Sequence, residues 1–156
     1  VVDPKDVAKY GKITTWHQEV LNKLMPGPVS FIVPNRKIPA YVNANMDSVS
    51  IGWQANWILM QLYRESGAPY VATSANPHGF PAPIVVEDAA AYFGDQIPIY
   101  IDNGRTKYGI PNAIVDLSKD PIQIVREGFN TFKDIEEMIA ARVKIDRASA
   151  KPLGGD

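Results

Sequence analysis

The stretch Met25–Pro34, MPGPVSFIVP, marks the first change from helix to strand along this chain. Before it, Trp16–Met25 places apolar side chains at helical spacing, and Pro26 and Gly27 are residues that end a helix. After this turn, Val29–Val33 is a short apolar run with a proline on each side, which is typical of a buried strand. The sequence therefore predicts a helix that leads through a proline-glycine turn into a buried strand.

The same alternation continues toward the carboxyl end. Apolar runs and amphipathic blocks of helix length predict strands at Ser48–Trp53, Tyr70–Thr73 and Ile97–Ile101, and helices at Ala55–Glu65 and Val86–Phe93. Gly67 and Gly94 are placed to end these two helices. Alternating strands and helices indicate an α/β fold.

Two neighbouring apolar runs near the carboxyl end predict a hairpin. Asn112–Leu117 and Ile122–Arg126 are separated by the residues SKDP, and an Asp-Pro pair favours a turn. A last helix is predicted to begin at Thr131, which with Asp134 resembles a capping box. Because helices join some strands and a hairpin joins others, we expect a mixed sheet with helices packed against it.

The composition is that of an ordinary soluble globular domain. The 156 residues are 46% hydrophobic and 21% charged, and no apolar run approaches the roughly 18 residues that a membrane span needs. The chain has no cysteine, which excludes zinc ribbons, iron-sulfur clusters and thiol nucleophiles, and which fits a reducing compartment such as the cytoplasm. With two histidines in all, no metal site is predicted. A formal net charge of −1 means that nucleic acid would need a local basic patch to bind.

The stretch Val71–Pro83, VATSANPHGFPAP, ends a predicted strand in small polar residues and continues into a rigid loop. α/β proteins present hydrogen-bonding groups to a ligand at such strand ends. In an extended chain Ser74 and Asn76 point to the same side, where a hydroxyl and an amide suit phosphate, ribose or amino-acid groups. The same residue types commonly cap turns, so both interpretations stay open.

Other polar residues give weaker signals. Asp102 in IDNGR could bind magnesium or a ribose, but Asp-Asn-Gly also favours a simple turn, which we expect here. Arg126 and Lys107 could each contact a phosphate or remain surface residues. His78 has no carboxylate close in sequence to orient it. The chain contains no P-loop, GxGxxG, GxSxG or HExxH motif, and no catalytic residue is assigned.

Five motifs in chain order resemble those of the YrdC-type threonylcarbamoyl-adenylate synthase family: MPGPVSFIVP, VSIGW, YVATSANPHGFPAP, YIDNGRTKYGIPNAIVDL and IVREG. The most specific element is TSANPHGFPAP, which resembles the family's SAN-x-x-G-x-P loop. The resemblance covers the chain from Val1 to about Met138. It implies a YrdC-like, open, twisted mixed sheet with packed helices and a deep, positively charged cleft.

The resemblance also implies an activity. Such enzymes combine L-threonine, bicarbonate and ATP, with Mg²⁺, into threonylcarbamoyl-adenylate and release pyrophosphate. The product feeds proteins that modify the adenosine next to the anticodon of certain tRNAs, and some members are described as binding double-stranded RNA. By this resemblance Ser74 and Asn76 line the ATP and threonine cavity, and Arg126 lies near the nucleotide.

The chain departs from the family pattern at several positions. The arginine that the family carries on a strand, and the proline that follows it, fall on Gly52 and Gln54. The family's Ser-Thr pair falls on Asn112 and Ala113. Asn112 can still form hydrogen bonds, and by this resemblance it is a candidate residue for binding the substrate or ATP. The family's Lys-x-Arg signature belongs to a segment upstream of anything that aligns with Val1.

Three functions therefore stay open. The chain begins without an initiator methionine, and we expect part of a longer protein, with a partial YrdC-like domain at residues 1–143 and a polar tail at residues 144–156. The first function is the synthase activity of the parent protein. The alternatives are a non-catalytic module that binds nucleotide or double-stranded RNA, and the YrdC-like domain of a larger carbamoyltransferase.

Overall fold

The main sheet is mixed, as the sequence predicts. The computed structural model describes residues 1–142 together with Pro152 and Leu153. Within these residues the strands β1 to β6 are Ile13–Thr14, Val29–Pro34, Ser48–Gly52, Ala113–Asp116, Gln123–Arg126 and Pro152–Leu153. The main sheet has the order β3-β2-β4-β5, and β1 pairs with β6 in a separate sheet. Strands β1 and β6, each two residues long, were not predicted from the sequence.

Strand β2 lies inside the main sheet and has one buried face. Val29, Phe31 and Val33 are buried, whereas the residues between them are partly exposed, which is the pattern of a strand with one face on the core. β2 pairs antiparallel with β3 and parallel with β4, and β4 pairs antiparallel with β5. The predicted hairpin and the predicted mixed sheet are both confirmed.

The four helices that the sequence predicts are present close to their predicted bounds, whereas the short helix Ala40–Asn43 and both 3₁₀ helices were not predicted. In the described part of the chain α1 to α5 are Thr15–Leu24, Ala40–Asn43, Trp57–Ser66, Val86–Phe93 and Phe132–Arg142, with 3₁₀ helices at Pro4–Lys9 and Gly94–Gln96. Helices α1 and α5 contact each other, and their apolar side chains join the buried face of β2 in one core. Gly67 ends α3 with a φ of 64°, a left-handed conformation that favours glycine.

The capping box predicted for α5 is also confirmed. The backbone N–H of Asp134 donates to Thr131 Oγ1 at 3.3 Å, and the backbone N–H of Thr131 donates to Asp134 Oδ2 at 3.0 Å. These two bonds satisfy N–H groups that the first turn of a helix leaves without partners. The local residue pattern is therefore enough to locate the start of this helix.

His17 has a structural role that the sequence analysis did not identify. Its Nδ1 accepts the backbone N–H of Thr14 at 3.0 Å, which leaves the proton on Nε2. Nε2 then donates to the carbonyl oxygen of Leu117 at 3.1 Å. The ring thus caps α1 and joins it to the end of β4.

Two predicted strands are wrong, because Tyr70–Thr73 and Ile97–Ile101 have irregular backbones. Their apolar side chains are largely exposed, with Val71 at 76% and Ile99 at 73%. A strand needs a neighbour to pair its backbone N–H and C=O groups, and none of the described strands pairs with either segment. Apolar composition alone therefore gave a false strand signal in both places.

The chain forms two compact units. The first contains Val1–Val71 and the chain from Asn112 onward, and it holds the main sheet and the core. The second contains Ala72–Pro111 and includes α4.

No described helix combines the length and the apolar character needed to cross a membrane. Residue 143 and the predicted polar tail lie outside the described residues, apart from Pro152 and Leu153, so that boundary stays a prediction.

Tyr63 joins helix α3 to the first 3₁₀ helix. Its hydroxyl donates to Asp6 Oδ2 at 2.8 Å, and its ring meets Trp53 edge-on with centroids 5.1 Å apart. Burial, together with the bond to Asp6, raises the pKa of Tyr63. The ammonium of Lys9, which is 2.7 Å from Asp6, and the Tyr63 hydroxyl lower the pKa of Asp6.

Replacing Tyr63 with Phe is expected to lower the free energy of unfolding by about 1.5 kcal/mol, because a hydrogen bond to a charged acceptor is lost. The raised pKa of Tyr63 also means that the wild type loses stability above about pH 10, where the unfolded tyrosine ionises and the folded one does not. Tyr63→Phe removes this contribution. Urea unfolding at neutral pH and at about pH 10.5 measures both effects.

The matched control for this prediction is Tyr41→Phe. Tyr41 is 88% exposed, so its substitution should leave both unfolding curves unchanged. If Tyr63→Phe were as stable as the Tyr41 variant at neutral pH, the bond to Asp6 would contribute nothing to the fold.

Candidate functional site

The face of the main sheet opposite the core carries several polar residues. Ile51 on β3 is buried and faces the core, so alternation places Gly52 on the other side. The register pairs Gly52 with Ser30, Ser30 with Ile114, and Ile114 with Arg126, which gives one row across the four strands of this sheet. Gly52, Ser30 and Arg126 of this row, together with the neighbouring Gln54 and Asn112, form what we call the polar face.

The structure brings together two of the predicted site residues, Arg126 and Asn112. Arg126 Nε and Nη2 donate to the main-chain carbonyl oxygen of Asn112 at 3.2 and 2.8 Å. Both contacts come from one side of the guanidinium and fix its plane. A guanidinium has five N–H groups, so others can donate to an anion. The arrangement suits a phosphate or a carboxylate.

The polar face also contains Ser30 and Gln54, which the sequence analysis did not select. Asn112 Nδ2 donates to Ser30 Oγ at 3.4 Å. A Cβ atom placed on Gly52 would lie 2.6 Å from Gln54 Nε2 and 3.2 Å from Ser30 Oγ, so both side chains converge on the glycine. The alternation within VSFIV carries a signal for Ser30, since it places this residue opposite the buried side chains of β2. No comparable signal exists for Gln54.

The other predicted pair, Ser74 and Asn76, belongs to the second unit. Asn76 Nδ2 donates to the carbonyl oxygens of Pro77 and Phe80 at 3.2 and 2.8 Å, so this amide closes the loop. Its Oδ1 is buried and has no hydrogen-bond partner in the described chain, which leaves an acceptor that a ligand donor would satisfy. Ser74 is exposed. The turn interpretation thus accounts for Asn76 Nδ2. Ligand binding by Asn76 Oδ1 and by the Ser74 hydroxyl stays a prediction.

The remaining charged candidates are local features of the second unit. Asp102 Oδ1 accepts the backbone N–H of Gly104 at 2.8 Å, which confirms the predicted turn. The ammonium of Lys107 lies 5.2 Å from the centre of the Tyr108 ring. His78 is exposed. Within the described residues, no three His, Asp or Glu side chains come together as metal ligands.

Comparison with protein families and curated proteins gives consistent matches. The model of the Sua5/YciO/YrdC family, described as telomere recombination, matches residues 1–128. The threonylcarbamoyl-AMP synthase of Pyrococcus abyssi is 30% identical over 118 residues, which cover 75% of this chain and 35% of that protein. The threonylcarbamoyl-AMP synthase of Bacillus subtilis is 29% identical over 122 residues, which cover 77% of this chain and 35% of that protein. The chain thus spans about a third of the length of these two curated relatives.

Solved structures have the same fold. The crystal structure of P. abyssi Sua5 complexed with L-threonine superposes with a TM-score of 0.83 at 25% identity, over 95% of this chain and 44% of that one. The crystal structure of Escherichia coli YciO superposes with a TM-score of 0.71 at 20% identity, over 86% of this chain and 66% of that one. The second match concerns the fold alone. Both agree with the predicted α/β architecture.

Proposed function

The chain belongs to the Sua5/YciO/YrdC family, and on that premise we propose that the whole protein is a threonylcarbamoyl-AMP synthase. The enzyme joins L-threonine, bicarbonate and ATP into threonylcarbamoyl-adenylate and releases pyrophosphate. The observation that carries the proposal is the match of three quarters of this chain to relatives of that name in two organisms. The L-threonine complex of P. abyssi Sua5 supports the choice of amino acid.

The reaction needs alignment and charge compensation more than it needs a nucleophilic side chain. L-threonine and bicarbonate give a carbamate with loss of water, and an oxygen of this carbamate forms a bond to the α-phosphorus of ATP while the bond to pyrophosphate breaks. Proteins promote such transfers by positioning the reactants and by stabilising the charge that develops. Arg126, fixed by the Asn112 carbonyl, supplies a positive charge for this purpose. Ser74 and Asn76 are the proposed ligand contacts on the loop of the second unit.

Mg²⁺ is proposed to arrive with the nucleotide. This ion keeps several of its waters and commonly binds through substrate phosphates with one or two carboxylates. The described residues offer no cluster of carboxylates or histidines for a resident metal, so they fit an ion that the phosphates carry. The bound ion would neutralise phosphate charge that Arg126 alone does not balance.

The proposed product defines the partners and the location. Threonylcarbamoyl-adenylate is an activated acyl donor, and we propose that other tRNA-modifying proteins consume it in the cytoplasm. The chain itself has a formal net charge of −1, which gives no general attraction for RNA. Direct binding of tRNA or double-stranded RNA is therefore a separate question from the synthesis of the adenylate.

The test is pyrophosphate release by the intact protein, followed by detection of threonylcarbamoyl-adenylate by mass spectrometry. Release should require L-threonine, bicarbonate and Mg-ATP together, and D-threonine should not replace the L-isomer. Omission of bicarbonate serves as the internal control, because it leaves ATP hydrolysis by contaminants unchanged. A protein that binds neither ATP nor L-threonine and releases no pyrophosphate would contradict the proposal.

One observation favours a second candidate, a non-catalytic module that binds nucleotide. Gly52 gives the polar face no cation at the position where the family resemblance implies an arginine. Binding of Mg-ATP to the intact protein without any threonine-dependent release of pyrophosphate would support this alternative over the synthase.

A further inference from the structure

Gln54 occupies the space that a side chain on residue 52 would fill. A Cβ on Gly52 would lie 2.6 Å from Gln54 Nε2, closer than a Cβ atom approaches any neighbour in ordinary structures. Glycine within a strand often marks the close approach of another group. Here that group is the side-chain amide of Gln54, which lies over the end of β3 on the polar face.

Among the described residues, the side-chain amide of Gln54 has no hydrogen-bond partner, although the residue is partly buried. A primary amide carries two N–H donors and one acceptor oxygen, and such groups are normally paired with protein, water or ligand. Gln54 therefore offers hydrogen-bonding capacity from a position over Gly52.

Two further residues, Ser30 and Arg126, add hydrogen-bond donors to those of the Gln54 amide. Ser30 Oγ lies 3.2 Å from the same point above Gly52, and it accepts a hydrogen bond from Asn112 Nδ2 at 3.4 Å. The hydroxyl proton of Ser30 is thus available for a bond outward. The guanidinium of Arg126 holds the carbonyl of the same Asn112. Neutral donors beside one cation are the groups that bind an oxyanion.

We propose that Gln54, with Ser30, is a specificity-determining residue that hydrogen-bonds an oxyanion of the ligand. The oxyanion is either the carboxylate of an amino acid or a phosphate of a nucleotide. This inference rests on the proposed function, which supplies both ligands. Because the amide is neutral, it selects its ligand by hydrogen-bond geometry, and a ligand without the matching acceptor leaves polar groups unpaired.

The test is calorimetric titration of the intact protein with L-threonine and, in a separate experiment, with Mg-ATP. Gln54→Leu keeps the approximate size and removes all hydrogen bonds, and it should weaken binding of one of the two ligands about tenfold while the other changes less than about twofold. The ligand that weakens identifies the source of the oxyanion. Gln54→Glu should weaken the same ligand at least as much, because it places a negative charge against the anion.

Gly52→Ala supplies an independent route to the same site. The added methyl group needs the place of Gln54 Nε2, and because that atom ends a flexible side chain, we expect the amide to move aside. Gly52→Ala should therefore resemble Gln54→Leu, and the double variant should bind no more than about twofold more weakly than either single variant. Gln61→Leu is the matched control, since Gln61 is exposed on α3 and bonds only to Glu65 among the described residues.

The outcomes separate this inference from the proposed function. Normal binding of both ligands by Gln54→Leu and Gln54→Glu, with binding by the wild type intact, overturns the role of Gln54 and leaves the synthase proposal standing. Failure of the wild type to bind either ligand overturns both. An equal loss of ligand affinity in Gln61→Leu also overturns the inference. The weaker binding would then be a general result of replacing a glutamine with leucine, for example through lower solubility.

Discussion

Phe31→Ala is expected to lower the free energy of unfolding of the intact protein by about 3–5 kcal/mol, because the substitution empties a well-packed core position. Phe31 is completely buried on β2, and the sheet register places it between Ile51 on β3 and Val115 on β4. Domains of this size are typically stable by only about 5–15 kcal/mol, so the variant should lie close to unfolding. Urea denaturation followed by tryptophan fluorescence measures the change.

The matched control for Phe31 is Phe80→Ala in the second unit. Phe80 is 58% exposed and makes one edge-on contact with Tyr92, so its loss should change stability by at most about 1 kcal/mol. If the two variants unfolded at the same urea concentration, β2 would not be the centre of the core. If Phe31→Ala unfolded at the same urea concentration as the wild type, the burial of Phe31 between β3 and β4 would be contradicted.

The elements that the sequence predicts correctly are those whose determinants are local. Val29–Val33 lies between prolines and alternates buried and partly exposed residues, and Thr131 forms its capping bonds with Asp134 three residues later. The hairpin after Asn112 depends on a turn of four residues. In each case the residues that decide the structure lie within a few positions of each other.

The failures have a different origin. Tyr70–Thr73 and Ile97–Ile101 are apolar, but a strand exists only where another strand pairs with it, and this depends on the whole topology. Gln54 was identified as a departure from the family pattern but was not selected as a site residue, for a similar reason. Its importance comes from its position over Gly52 and beside Ser30, and neither contact follows from the order of the residues. Asn112 and Arg126 were selected, but their direct contact depends on the register of the hairpin.

Arg126→Gln is expected to reduce kcat/KM for adenylate formation about 10²–10³-fold in the intact protein, the range found when a fixed donor to a developing negative charge is removed. The reason lies in its geometry. Two N–H groups hold the Asn112 carbonyl, which fixes the plane of the guanidinium and leaves its other N–H groups able to donate to a phosphate. Arg126→Lys keeps the charge but loses the planar fork, so it should recover only part of the activity.

Stability and a control variant distinguish this role from a structural one. Arg126 is exposed, so Arg126→Gln should unfold at nearly the same urea concentration as the wild type. Arg64→Gln, which removes an exposed arginine at the end of α3, should leave both activity and stability unchanged. Full activity of Arg126→Gln would place this residue outside the site. A parallel loss of stability would instead assign the guanidinium to holding β4 and β5 together, and then the partial recovery by Arg126→Lys should be absent.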